Sequence, residues 1–546
     1  LCTDPRVTQS SVMAGIIPEA VYTALRAKYG EEYTRAELLA AECVKNVFAD
    51  APDGRTLMII ASAKGNVSLL EGRCGEGPRV PADDDPLLFG QMASRIGAMT
   101  GFPAARIRVI SNACISGVSA IVIARRMILS GVCDNAVVVG VDTQNRFITS
   151  GFASFKSLSD ELCRPYDASR CGLNLGEACG AILLTRNRLS DSDVAISGGA
   201  ITDDANHISG PSRTGDGLYF AMRRAMDEAG VLPQQLDMLQ MHGTATAYND
   251  EMESKAASLA GLQDVPAQSL KPYFGHTMGA SGVIETIIAA EELKRGVCAG
   301  TAGFSELGVP MPLNVSAANR GLAENAVRHC LKTASGFGGT NAAVTLEFGG
   351  SGDGEVGGLV DIAVRECREV VIGDGSVKVD GEVVFADENA DYHAFIRDAF
   401  KAGGGQNMKF YKMDDFCKLA YVAADRLLEG SDFGEEECGM VLSGRYGCLD
   451  TDMKHQQIID SEGDAGASPA VFVYTLPNVA AGEVSIRHHI KGENTWFWSD
   501  DRQMRDIRQY AGMMMAAQDL KYCMAGYFDC IAGKYEAVFK LLERQN

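Results

Sequence analysis

Ser111-Asn112-Ala113-Cys114-Ile115-Ser116-Gly117 follows the short β-branched run Arg108-Val109-Ile110 and leads into Ser116 to Leu129, where apolar residues recur with helical spacing. The stretch reads as a strand that delivers a cysteine to the start of a helix, with Gly131 as C-cap. A helix N-terminus offers unpaired N–H groups and positive dipole potential to the sulfur. That predicts a thiol pKa below its reference of ~8.5 and preferential alkylation of Cys114 by iodoacetamide. Most cysteines in a chain with sixteen of them pack as small apolar groups, so it is the junction, not the residue type, that marks this one.

Outward from the cysteine, Thr56 to Ala61, Ala136 to Val141, Ala181 to Leu184 and Leu236 to Met241 read as further strands between helical segments. This alternation predicts an α/β fold with a parallel or mixed sheet covered by helices. The chain has 546 residues, 46% of them apolar, so two to four structural units are expected. No apolar run reaches the ~20 residues of a membrane span, and no export leader is visible after Leu1. The formal charge of −21 argues against nucleic acid and anionic lipid as partners. A local basic patch for an acidic protein remains open, with Arg125-Arg126 as its candidate. The cysteines show no CxxC pair and no zinc-type spacing, which points to a reduced, cytosolic protein without a metal.

Two histidines lie far downstream. His242 follows the run ending at Met241 and opens His242-Gly243-Thr244-Ala245-Thr246, at the carboxyl edge of a strand, where α/β sites gather. Thr244 and Thr246 offer hydroxyls to a polar substrate arm. His276 lies in Gly275-His276-Thr277-Met278-Gly279-Ala280-Ser281-Gly282, between Lys271 and Glu285, a pair able to hold the ring or simply to form an ordinary ion pair. Gly336-Phe337-Gly338-Gly339-Thr340-Asn341 is a glycine turn whose amides can approach an oxyanion, or a plain tight turn. A thiol that attacks an acyl carbonyl needs a proton acceptor and oxyanion donors, and these residues can supply both.

Gly349 to Gly358 has the composition of a flexible linker. The expected domains are therefore 1–348, a linker at 349–358, and 359–546. In the second unit, strands are expected within Val364 to Val384, at Met440 to Leu442 and at Val471 to Tyr474, with helices at Asp414 to Leu428 and Tyr535 to Leu542.

Taken together, Asn112 to Gly117, Arg164-Pro165-Tyr166-Asp167 with Arg170, Gly176-Glu177, His242 to Thr246 with Asp250 and Glu253, Lys271 to Gly282, and Gly336 to Asn341 resemble the β-ketoacyl-acyl carrier protein synthases, condensing enzymes of the Cys-His-His type. The resemblance covers residues 1–348. It implies a thiolase-like fold, with two related halves of mixed sheets layered with helices. It also implies decarboxylative Claisen condensation in fatty acid, polyene or polyketide assembly. Cys114 would carry the acyl chain as a thioester. His242 and His276 would promote decarboxylation of malonyl-carrier protein, and Lys271 and Glu285 would support them. The amides of Cys114 and Phe337 would form the oxyanion hole, with Phe337 as gate, and Phe337 and Gly338 would bind substrate. Thr244 and Thr246 would bind the phosphopantetheine arm, which arrives on the acyl carrier protein, so no resident cofactor is implied.

Some positions depart from the family pattern. Ser335 stands where phenylalanine is common, implying a more open or polar floor, and Ile115 would narrow the acyl tunnel. The second unit is similar to a truncated amino-terminal half of the same family, through Ser468 to Phe472, Thr475 to Asn478, Gly482 to Ile486 and Lys491 to Asn494. By that register a nucleophile would fall near Asp501, and no cysteine stands there. A noncatalytic unit, completing an internal pseudo-dimer or joining a dimer, is expected. The rivals are a chain that serves throughout as a noncatalytic chain-length partner, and a thiolase. A thiolase carries a second cysteine where this chain has Phe337.

Overall fold

The computed structural model describes residues 12–49, 52–73, 79–350, 358–359 and 362–545. Among these, the two largest sheets have eleven and six strands. The smaller runs Asn314–Val315, Pro266–Gln268, Met238–Gln240, Arg328–Gly336, Thr340–Phe348, Val194–Asp203. The larger runs Glu382–Ala386, Ser376–Val379, Val364–Gly373, Lys534–Arg544, Tyr522–Ile531, Cys438–Gly444, Asn494–Trp498, Ile107–Ile110, Thr56–Ala61, Asn135–Asp142, Ala178–Thr185.

The seventh and eighth strands of the larger sheet form the seam between the two units. Asn494–Trp498 pairs antiparallel with Ile107–Ile110, through Phe497 with Ile110 and Trp498 with Val109. Going outward on either side, the order and sense repeat. Cys438–Gly444 and Thr56–Ala61 are parallel to the central strands. Tyr522–Ile531 and Asn135–Asp142 follow, again parallel. Lys534–Arg544 and Ala178–Thr185 then turn antiparallel. The loops repeat as well. Asp142 accepts from the amides of Ala63 and Lys64, while Asp529 accepts from those of Arg445 and Tyr446.

One apolar core crosses the seam, joining Ile110, Val118 and Ile121 to Val441, Phe497 and Met514. Beside it, Arg126 and Glu493 form a buried ion pair at 2.6 Å, and Tyr510 hydrogen-bonds to both. Removing either partner would leave the other charge buried and unpaired, so the pair ties the two sides of the seam together.

Two elements of the second unit differ from expectation. Val471 to Tyr474 is not a strand: Pro469–Phe472 is a helical turn with proline at its start, continued by a 3₁₀ turn at Val473–Thr475. Tyr535 to Leu542 is not a helix but part of the strand Lys534–Arg544. Its residues form helices readily, yet Ala537, Phe539 and Leu541 alternate inward between two antiparallel neighbours, and sheet packing overrides local preference. Of the expected linker, residues 351–357 lie outside the described residues.

Candidate active site

Cys114 sits in a 3₁₀ turn, Ala113–Ile115, between the Ile107–Ile110 strand and the helix Ser116–Leu129. Ala113 takes a left-handed φ of 47°, strained for a residue with a Cβ. Ser116 Oγ holds this bend by accepting from Asn112 N at 2.8 Å and donating to Ala113 O at 2.6 Å. The second unit braces it. Trp496 N donates to Asn112 Oδ1 at 2.8 Å, and Asn112 Nδ2 donates to Asn494 O at 3.3 Å.

A matching junction carries His276. A 3₁₀ turn at Met278–Ala280, with Met278 at φ 49°, leads into the helix Ser281–Arg295. The two helices touch through glycine. A Cβ on Gly117 would lie 2.8 Å from Gly279 O, and one on Gly282 would lie 2.3 Å from Val118 N. That contact brings the cysteine and histidine turns side by side.

His242 follows the strand Met238–Gln240. Glu253 accepts from the amides of His242 and Gly243, and Asp250 accepts from that of Thr244, so the helix Ala247–Leu259 fixes the loop. Lys271 Nζ donates to His242 O at 2.6 Å and lies 3.4 Å from its Nδ1. Glu285 bridges Lys271 at 2.9 Å and Lys332 at 2.6 Å, and all three side chains are buried. Lys271 and Glu285 thus support His242. His276 is held instead by Ser281, whose Oγ lies 3.0 Å from Nδ1, and by its own amide to Asn174 O. The two rings are 5.1 Å apart between centroids and nearly perpendicular, at 88°.

The electrostatics correct one expectation. Burial pushes the Cys114 thiol up to about 12, against the opposing pull of the Lys271 charge and the amides of Cys114 and Phe337. The junction does not produce a resting thiolate, because desolvating the anion outweighs the dipole. Both rings are held well below the ordinary imidazole value, first by burial and then by Lys271. Neutral thiol and neutral imidazoles therefore share the site, with two backbone donors at the sulfur.

Phe337 lies in the hairpin between Arg328–Gly336 and Thr340–Phe348. Its ring stands 5.9 Å from Phe152 and 5.4 Å from Phe155. Gly338 has φ 91°, and a Cβ there would approach Asn478 Nδ2 to 2.6 Å. Thr244 and Thr246 lie together, Oγ to Oγ 2.8 Å. The cavity beside Cys114 is lined by Ala63, Lys64, Ala113, Ile148, Phe152, Met278, Phe337, Phe472 and Leu476, the last two from the second unit.

Further expectations are corrected. Ile115 turns into the main core and does not line this cavity. Ser335 is a buried polar residue whose hydroxyl donates to Asn341 Oδ1 at 2.8 Å. Arg125-Arg126 is no docking patch: Arg126 is buried against Glu493, and Arg125 is spent on Glu228 and two carbonyls. Asp501, where the second unit's nucleophile was sought, caps the turn into the helix Arg505–Gln518 by accepting from Arg505 N. Sequence reading missed Lys332, Lys64, Phe472 and the bracing role of Asn478. A lone lysine in the apolar strand around Lys332 was the available signal. Among the described residues no cluster of metal-ligating side chains occurs, and no helix is long and apolar enough to cross a membrane.

Comparisons with known proteins agree with this geometry. Residues 78–190 match the beta-ketoacyl synthase N-terminal domain, and residues 194–305 match the C-terminal domain. A putative mitochondrial 3-oxoacyl-[acyl-carrier-protein] synthase of Schizosaccharomyces pombe is 31% identical over 281 residues, covering 48% of this chain and 66% of the relative. A 3-oxoacyl-[acyl-carrier-protein] synthase 2 of Rhizobium meliloti is 30% identical over 252 residues, covering 43% and 59%. The chain thus spans less than two thirds of the length of either relative. Among solved structures, the PfaC keto synthase-chain length factor superposes with a TM-score of 0.68 at 14% identity, over 93% of this chain and 69% of that one. A beta-ketoacyl synthase from Burkholderia phymatum gives 0.52 at 22% identity, over 58% and 83%. The mixed α/β architecture is that of the thiolase-like fold. Residues 78–305 therefore match the beta-ketoacyl synthases along both domains of that family.

Proposed function

We propose that the chain is a β-ketoacyl-carrier protein synthase that works through Cys114, in fatty acid, polyene or polyketide assembly. The thiol attacks an acyl thioester delivered on the phosphopantetheine arm of acyl carrier protein. The carrier's thiol leaves with the proton, and the acyl group stays on Cys114. Malonyl-carrier protein then loses carbon dioxide, and its enolate carbon attacks the Cys114 thioester. The new carbon–carbon bond forms as the carbon–sulfur bond breaks, and the sulfur regains a proton. His242 and His276, kept neutral, donate hydrogen bonds to the thioester oxygen while negative charge grows on it. The amides of Cys114 and Phe337 hold the tetrahedral oxyanion, and Thr244 and Thr246 hold the arm.

The observation that supports this reading is that the turn carrying Cys114 packs against the turn that follows His276, whose ring lies 5.1 Å from that of His242, with the Lys271 charge acting on the thiol and on both rings. Residues 359–546 serve as the noncatalytic half of an internal pseudo-dimer, a reading supported by the repeated strand order about the seam and by Asp501 in place of a thiol. The protein acts in the cytosol on carrier-bound substrates.

The test is elongation of an acyl-carrier protein with malonyl-carrier protein. Cys114→Ala is expected to retain decarboxylation and lose elongation. A wild-type protein that neither elongates nor decarboxylates any malonyl thioester would overturn the proposal.

A further inference from the structure

Lys64 is a charged group in the wall of the cavity beside Cys114, among residues that are otherwise apolar apart from the cysteine itself. Its side chain is 5% exposed, and its ammonium is 2.6 Å from Asp452 of the second unit. It also donates to Thr475 O, again from the second unit, and stands 5.2 Å above the Phe147 ring. Its own amide is tied to Asp142. Behind it the packing is closed: the Phe147 ring lies 4.6 Å from His455, and His455 lies 5.3 Å from Phe472.

We propose that the Lys64–Asp452 ion pair is the end wall of the acyl pocket and restricts Cys114 to short acyl groups. This rests on the assignment of Cys114 as the acyl carrier. The cavity volume is about 10 Å3, room for about one water, so any acyl group must displace a side chain. The aromatic side, Phe152, Phe337 and Phe472, yields by rotation of rings that lose only packing. Lys64 yields only by breaking a buried ion pair, which leaves Asp452 desolvated and unpaired. Displacement of the aromatic rings therefore admits a short acyl group, and a longer methylene chain, with that room filled, meets the fixed ammonium. Because the counter-ion comes from residues 359–546, chain length is set by a contact between the units.

The test is acylation of Cys114 by acyl-pantetheines from acetyl to dodecanoyl, followed by intact-protein mass spectrometry. The wild type is expected to take acetyl and butyryl at least roughly tenfold faster than dodecanoyl. The paired neutral variant Lys64→Met with Asp452→Leu keeps the volume and removes both charges. It is expected to reduce that ratio to about threefold or less. Equal loading of all lengths by the wild type overturns the proposal, and so does an unchanged profile in the folded pair variant. If the pair variant does not fold, the wild-type profile and that of Asp452→Asn decide. Failure of every acyl group to load at Cys114 would instead refute the carrier role of the cysteine, and the length stop with it.

Discussion

Asn478 Nδ2 donates to Phe337 O over 2.8 Å, so a residue of the second unit holds the loop whose Phe337 amide faces the Cys114 sulfur. The contact is close on both sides, since a Cβ on Gly482 would lie 2.5 Å from Gly338 O. On the proposed mechanism the Phe337 amide is an oxyanion donor, and it can act only while this loop keeps its position. Asn478→Ala removes one neutral hydrogen bond, worth about 1 kcal/mol, so acyl transfer to Cys114 is expected to slow by roughly fivefold. Single-turnover acylation measures it, and an unchanged rate would separate the second unit from the chemistry.

The buried set Lys271, Glu285 and Lys332 places two cations on one carboxylate. Glu285 stays below the usual carboxylate range despite burial, because Lys271 and Lys332 both favour its charge. Lys332→Met leaves the pair Lys271–Glu285 and is expected to cost about 3 kcal/mol or less. Glu285→Gln strands two buried cations and is expected to cost more than Lys332→Met. Urea unfolding of both variants measures the order, and a reversed order would contradict this account of the triad.

Acid should destabilise the protein through His242 and His276. Their folded pKa values are depressed, whereas in the unfolded chain imidazole titrates near about 6.5. As pH falls through that value the unfolded state binds protons that the folded state refuses, so stability is lost. Buried carboxyls raised to about 7, such as Asp204 and Asp250, act in the opposite sense, but they are common to wild type and variant. His276→Asn is therefore expected to lose less thermal stability than wild type between about pH 7.5 and about pH 5.5. Parallel losses would show that the ring titrates normally.

The cysteines should divide by exposure. Cys171 and Cys367 are exposed, whereas Cys114 is buried and its thiol lies at about 12. Iodoacetamide at neutral pH is expected to modify Cys171 and Cys367 before Cys114. Peptide mapping after brief labelling checks the order, and early loss of Cys114 would mean that the closed cavity opens readily in solution.

Much of the first unit was legible in the chain itself. Thr56 to Ala61 and Ser116 to Leu129 form the strand and helix that their patterns predict. Cys114, His242 and His276 could be picked out because each sits at a junction of local periodicities. The second unit misled at Tyr535 to Leu542, where local preference favours helix and two neighbouring strands impose a sheet.

Sequence by itself determined the candidate site residues, the alternation of strands and helices, and the lack of a thiol near Asp501. Tertiary structure decided what those residues can do. Burial raised the Cys114 thiol that a local reading would lower, since desolvation depends on everything packed around the sulfur. It also joined Lys64 to Asp452 and Phe337 to Asn478 across separations of 388 and 141 residues. Such partners carry no mark in local sequence, because only the shared sheet and its crossing core bring them together.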